Sequence, residues 1–372
     1  MNNPVKLTRF KWIDQIKGLA ILAIILFHFF QNYPDRLSIV TSLDRIGAKL
    51  GYAAVDLFFV MAGLNTSYAL ISKLEPDKID QIHINWKSWV KKRLSRIYPA
   101  YILAFIISCL LYYLFGIFKI KSLPNFSISF IGLAGKDFQE INPGFWFFTV
   151  ILEAYLLTPL IFILCKNQHR QILILGSIIG TLSKLVTAYF FLNQNHKISF
   201  FLLQNNFLGS YIFQFCLGIY WGFIYAKYKE FRKIDFWVVT LIFLVGSVIY
   251  AILGFAKVDI IYMLGFDALF TPFMFLGIKE GLCRIDRINK LGSVLDFLSI
   301  LGIYSYQIYL IHQPLYFVIL PKINKFLQIN SYSKISVSLI ISLSLLTVYV
   351  FLFTKLEKYV IKMVGSLTKK TT

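Results

Sequence analysis

The sequence predicts an all-α fold, a polytopic membrane bundle of about ten transmembrane helices with both termini cytoplasmic. Two observations set the class. Hydrophobic residues make up 58% of the 372 and charged residues 15%, where a soluble domain carries about a quarter charged residues. The stretches Ile97–Phe118, Phe236–Ala256 and Ile335–Thr354 hold no Asp, Glu, Lys or Arg, and a helix needs about 20 such residues to cross the hydrocarbon core. Backbone polar groups in lipid must bond within their own segment, so these stretches are helical. A third observation, the distribution of Lys and Arg, sets the orientation.

In chain order the expected helices are Gly18–Tyr33, Gly51–Ser72, Ile97–Phe118, Pro143–Cys165, Ile172–Leu192, Asn206–Ala226, Phe236–Ala256, Val258–Ile278, Asp296–Leu320 and Ile335–Thr354. The first has a basic flank and an apolar run but no small-residue cleavage site, and is read as retained. Placing the N-terminus inside puts 26 Lys and Arg in cytoplasmic segments and 11 in outer loops, as the positive-inside rule requires. That partition absorbs the formal charge of +20, which in a soluble protein would suggest nucleic acid. No repeat array, soluble domain or low-complexity tract interrupts the chain, so 1–372 is read as one membrane-embedded domain in the plasma or inner membrane. Cys109, Cys165, Cys216 and Cys283 have no metal or redox spacing, and no metal site is expected.

Ionisable residues inside membrane helices are expensive and are functional candidates by default. Here they are Lys17, His28, Asp56, Glu153, Lys184, Asp259, Asp267 and His312. Lys17 and His28 are eleven residues apart on the first helix, or about 16 Å. The bland reading of Lys17 is a snorkelling anchor; that of His28 is a bond to a neighbouring helix. Asp56 opens DLFFVMAGL, and His312 lies in YQIYLIHQPLY. On their expected helices His28, Asp56 and His312 reach similar depth in the outer half. Glu153 sits mid-helix among apolar residues, where a structural bond and a catalytic role are equally open. Arg93 and Arg96 lie three apart in KKRLSRIYP and share a helix face. Topology explains their neighbours Lys91 and Lys92, while the guanidinium fork suits phosphate. Lys184, Asp259 and Asp267 carry no assigned role.

Five blocks in this order resemble the acyltransferase-3 family of integral membrane acyltransferases. They are Lys17 with His28, Asp56–Gly63, KKRLSRIYP with Arg93 and Arg96, the run from Trp146 through Glu153 and Tyr155 to Pro159, and YQIYLIHQP with His312 and Pro314. The resemblance covers nearly the full length. It implies a cytoplasmic acyl-CoA donor, usually acetyl-CoA, and a carbohydrate hydroxyl acceptor, often in a cell-surface polysaccharide. Membrane lipids are the other expected partner, and no nucleic acid is. Where the family commonly has Arg this chain has Lys17, and where it often has Ser this chain has Ala62, which argues against a Ser nucleophile there. No hydrolase-like domain follows the tenth helix, so transfer is expected to finish in the membrane domain or through another protein.

Acyl transfer to an alcohol needs a base and oxyanion stabilisation. The expected base is His28, oriented by Asp56 or Glu153, with His312 binding the acceptor or taking the base role. Arg93 and Arg96 are expected to hold the CoA phosphates, with Lys17 near the donor. The rival reading is a transporter or flippase of a glycan intermediate, which uses the same residue types. No inverted repeat or matched pair of broken helices supports it.

Overall fold

The computed structural model describes residues 10–72, 74, 82–203, 205–255, 267–288 and 291–370. Among them there is no strand. Thirteen α-helices follow one another: α1 (Lys11–Asn32), α2 (Ser38–Ile71), α3 (Trp86–Leu114), α4 (Leu123–Phe130), α5 (Trp146–Leu164), α6 (His169–Leu192), α7 (His196–Leu203), α8 (Ile212–Tyr228), α9 (Lys233–Phe255), α10 (Asp267–Asp286), α11 (Gly292–Ile303), α12 (Ser305–Phe326) and α13 (Ser331–Lys370). Seven helices among the described residues are long and apolar enough to cross a membrane, and the bent pair α11–α12 makes an eighth if counted as one span. The protein is a multi-pass helical membrane protein.

Each of the ten expected spans meets a helix, though three are altered. The sixth is α8, only 17 residues long, or about 25 Å, which falls short of the hydrocarbon core. Residues 258–266 of the eighth lie outside the described residues, and α10 then carries Lys279, Glu280, Arg284 and Asp286 within its second half. The ninth is broken: α11 and α12 meet at Tyr304 with a bend of 75°.

Two compact units divide the chain. The first comprises Met1–Ala20, Ala53–Trp89 and Val150–Gly302; the second comprises Ile21–Tyr52, Val90–Thr149 and Ile303–Thr372. In the first unit, helices close on glycine. A Cβ at Gly63 of α2 would stand 2.0 Å from the Phe215 carbonyl oxygen of α8, and one at Gly218 of α8 would stand 2.0 Å from the Val60 oxygen. In lipid, where no hydrophobic force draws helices together, such backbone approach supplies the van der Waals contact that does. The glycine ending DLFFVMAG is therefore a packing requirement.

The second unit holds a feature the hydropathy pattern does not show. After α3 the chain turns back, and α4 with the 3-10 turns Lys136–Phe138 and Pro143–Phe145 packs against α3, α5 and α12. Tyr98 Oη donates to the Ile131 carbonyl at 2.7 Å, and Tyr101 Oη donates to that of Ser129. Tyr98 lies 16 residues from the end of α3 at Leu114, so the returning segment reaches about 24 Å along that helix. Irregular backbone is tolerated at such depth only when protein groups satisfy it. Thr149 Oγ1 donates to the carbonyls of Gly132 and Ala134 at 3.1 and 2.7 Å, and Ser129 Oγ donates to that of Phe138 at 3.0 Å.

The returning segment is fastened to α12 by a defect in that helix. Pro314 has no N–H, so the carbonyl four residues back, on Leu310, loses its helical donor. Asn142 Nδ2 donates to that carbonyl at 3.1 Å, from a fully buried side chain. We expect Asn142→Leu to leave Leu310 unbonded and to lower stability by about 1–3 kcal/mol. Restoring the helical N–H with Pro314→Ala should recover part of that loss. Thermal unfolding of the single and double variants measures the coupling, and strictly additive losses would show that the two groups do not serve one carbonyl.

Candidate functional site

His28 and His312 meet within the second unit. Their ring centroids are 5.1 Å apart at an interplanar angle of 41°. The broken span matters here, because α12 starts at Ser305 and sets the direction in which residue 312 projects. His312 is fully buried. Its Nδ1 lies 3.0 Å from the Ile308 carbonyl oxygen and 2.8 Å from that of Tyr309. Both oxygens only accept, so Nδ1 carries the proton and Nε2 the lone pair. Among the described residues Nε2 has no hydrogen-bond partner. Tyr309 and Tyr316 flank the ring at 5.8 and 6.0 Å between centroids.

His28 is half-buried and faces two glutamines. Gln31 Oε1 lies 2.8 Å from its Nδ1. Gln313 Nε2 lies 3.0 Å from the same Nδ1 and 3.4 Å from Nε2. The two contacts at Nδ1 exclude each other, since Gln31 Oε1 needs a proton there and the Gln313 N–H needs a lone pair. Two tautomers therefore compete. Serving Gln31 leaves the lone pair on Nε2, where Gln313 can still donate across 3.4 Å, and serving Gln313 at the shorter contact leaves the lone pair on Nδ1.

The Pro143–Phe145 turn sets Gln313. A Cβ at Gly144 would stand 2.5 Å from Gln313 Oε1, so the glycine leaves that side chain its present place. Asn142 Oδ1 accepts the Gly144 N–H at 2.9 Å and shapes the turn. Lys136 brings positive charge near enough to act on His28. Burial holds the Lys136 ammonium below its ordinary value, as expected for a cation removed from water. Sequence reasoning missed Gln31, Gln313, Asn142 and Lys136. Only Gln313 had a signal, its place between His312 and Pro314.

The expected carboxylates lie in the first unit, each with its own partners. Asp56 is buried, and its two oxygens accept from Gln214 Nε2 of α8 and Thr271 Oγ1 of α10, each at 3.0 Å. Glu153 Oε2 accepts the Leu208 N–H at 2.7 Å, at the 3-10 turn that precedes α8. Lys17 Nζ lies 4.0 Å from Asp14 Oδ1, one turn away. Arg93 is half-buried and Arg96 exposed on α3. Asp259 lies outside the described residues. The oxygen described at His28 Nδ1 is that of Gln31.

The site combines a half-buried imidazole, a buried imidazole beside it, two amides and a nearby ammonium. That set can move a proton and hold a polar reactant, which suits transfer of a group to a hydroxyl. In comparison with known proteins, residues 10–355 match a family model described as an acyltransferase domain. No curated protein and no solved structure matches the chain.

Proposed function

The chain belongs to the acyltransferase-3 family of membrane acyltransferases, and we propose that it carries an acyl group, acetyl in the first instance, from cytoplasmic acyl-CoA to a carbohydrate hydroxyl outside the cytoplasm. The orientation with Lys- and Arg-rich segments cytoplasmic, in the plasma or inner membrane, is part of the same proposal. The observation that carries it is His28, half-buried beside a buried second imidazole, with Gln31 available to fix its tautomer.

With the proton on Nδ1 and donated to Gln31 Oε1, His28 Nε2 takes the proton of the acceptor hydroxyl. The hydroxyl oxygen attacks the thioester carbonyl, the C–O bond forms and the C–S bond breaks. The proton then passes from the imidazolium to the CoA sulfur. Lys136 supplies charge of the sign that steadies the oxyanion. His312 has no exposed surface, so it acts from behind His28 as a positioning residue. Arg93 and Arg96 hold the CoA phosphates, and Lys17 lies toward the donor.

Purified full-length protein should release free CoA thiol from acetyl-CoA in the presence of its carbohydrate acceptor. Mass spectrometry of surface glycans with and without the protein identifies that acceptor. His28→Ala should lower turnover by about 10²–10⁴ with the melting temperature nearly unchanged. Normal turnover from a less stable His28→Ala protein would assign His28 to structure.

The competing tautomers make a finer expectation. Gln31→Leu leaves Gln313 to place the lone pair on Nδ1, and kcat should fall while KM for acyl-CoA holds. Gln313→Leu removes the competitor and should keep the larger share of kcat. The reverse ranking, measured on one preparation series, contradicts the assigned tautomer.

A further inference from the structure

A substrate reaches His28 only where the neighbours of that ring leave room. The amides of Gln31 and Gln313 crowd its Nδ1 edge. His312 stands against the ring at 5.1 Å between centroids, with Tyr309 and Tyr316 around it. Phe27 stands against the same ring at 4.6 Å between centroids and an interplanar angle of 38°. Among the described residues Phe27 and His312 make no ring contact with each other, so they approach the imidazole from different sides.

The two walls differ in kind. His312 is fully buried and its Nδ1 is held by two carbonyls. Phe27 is half-buried and has no polar atom in its side chain, so only packing holds it. α2 supplies that packing through two glycines one turn apart. A Cβ at Gly47 would stand 3.3 Å from Phe27 Cα, and one at Gly51 would stand 2.7 Å from Phe27 Cδ1 and 3.1 Å from Cγ. A side chain at position 51 would therefore displace the ring.

Acyl transfer sets a matching requirement. The tetrahedral carbon formed at His28 bears the oxyanion, the CoA sulfur, the acceptor oxygen and the acyl chain. The acyl chain is the apolar member of the four and needs an apolar surface beside the imidazole. The glutamine edge is polar and the His312 side is sealed, which leaves Phe27. A methyl group can lie against that ring, while each further methylene needs space that the ring, seated on α2, already fills.

We propose that Phe27, seated on Gly47 and Gly51, is the wall against which the acyl chain packs, and that it selects short acyl groups. This specificity role rests on the acyl-transfer reading of His28.

The test is a competition. Purified full-length protein receives surface carbohydrate extracted from its source cells, with acetyl-CoA and butyryl-CoA at equal concentration. Mass spectrometry counts acetyl and butyryl esters on the carbohydrate. Their ratio is a ratio of kcat/KM values, and it does not depend on how much of a variant is folded. The unsubstituted protein should form mostly acetyl ester. Phe27→Ala should move the ratio toward butyryl by about tenfold or more, since one methylene in an apolar pocket already discriminates by that order. Phe27→Leu should move it less. Adding Gly51→Leu to Phe27→Ala refills the space from α2 and should return the ratio most of the way. An unchanged ratio in a Phe27→Ala protein that still forms ester overturns the proposal and leaves the acyl-transfer reading standing. So does equal use of the two donors by the unsubstituted protein. Loss of both esters in Phe27→Ala and Phe27→Leu alike would assign Phe27 to the fold and overturn it too. No ester of either kind from the unsubstituted protein would overturn both readings.

Discussion

Inside an apolar slab an unbonded carbonyl has no water to turn to, and each proline in a membrane helix creates one. Pro314 frees the Leu310 carbonyl, and Asn142 of the returning segment takes it at 3.1 Å. Pro159 of α5 frees that of Tyr155, and Trp89 Nε1 takes it at 2.7 Å. In each case a helix defect is the docking point for another element. The first matters more, because Asn142 also caps the turn that brings Gly144 against Gln313. One missing N–H on α12 thus determines where the loop sits, how Gln313 is held and what His28 meets.

Glycine and buried amides complete the arrangement. Glycines at 63 and 218 let α2 and α8 approach to backbone contact, which brings Gln214 to Asp56. Close approach leaves little room for error: a polar atom not matched inside such a contact stays unmatched. His312 Nε2, Gln313 Oε1 and Gln214 Oε1 are three buried atoms of that kind among the described residues. The first two flank the proposed reaction site.

The helical class, and most of the elements, were legible because hydropathy over about 20 residues is a strong signal. His28 and His312 were legible as polar residues in apolar runs. Their adjacency was not, since it depends on the break at Tyr304 and no local period encodes a bend of 75°. The returning segment was hidden because α4 has eight residues, LPNFSISF, too few to register as a span. Lys119, Lys121, Lys136, Asp137 and Glu140 around it read as an ordinary outer loop. Gln31, Gln313 and Asn142 were missed for a different reason. Uncharged amides carry little weight in a hydropathy pattern, and only their partners reveal what they do.

The order His312, Gln313, Pro314 can be understood as one local device. Successive helix residues point about 100° apart, so three neighbours address three directions at once. His312 turns its ring toward His28 and is locked by Ile308 and Tyr309 behind it. Gln313 meets the edge of the His28 ring and the floor made by Gly144. Pro314 exposes the Leu310 carbonyl that anchors that floor. Moving any of the three by one position would rotate it away from its partner, while an exchange of Gln313 for another amide or a hydroxyl would keep the directions and change only reach. The spacing is therefore constrained more tightly than the identity of the middle residue, and the constraint arises from backbone bonding in the bilayer before any chemistry is asked of the histidines.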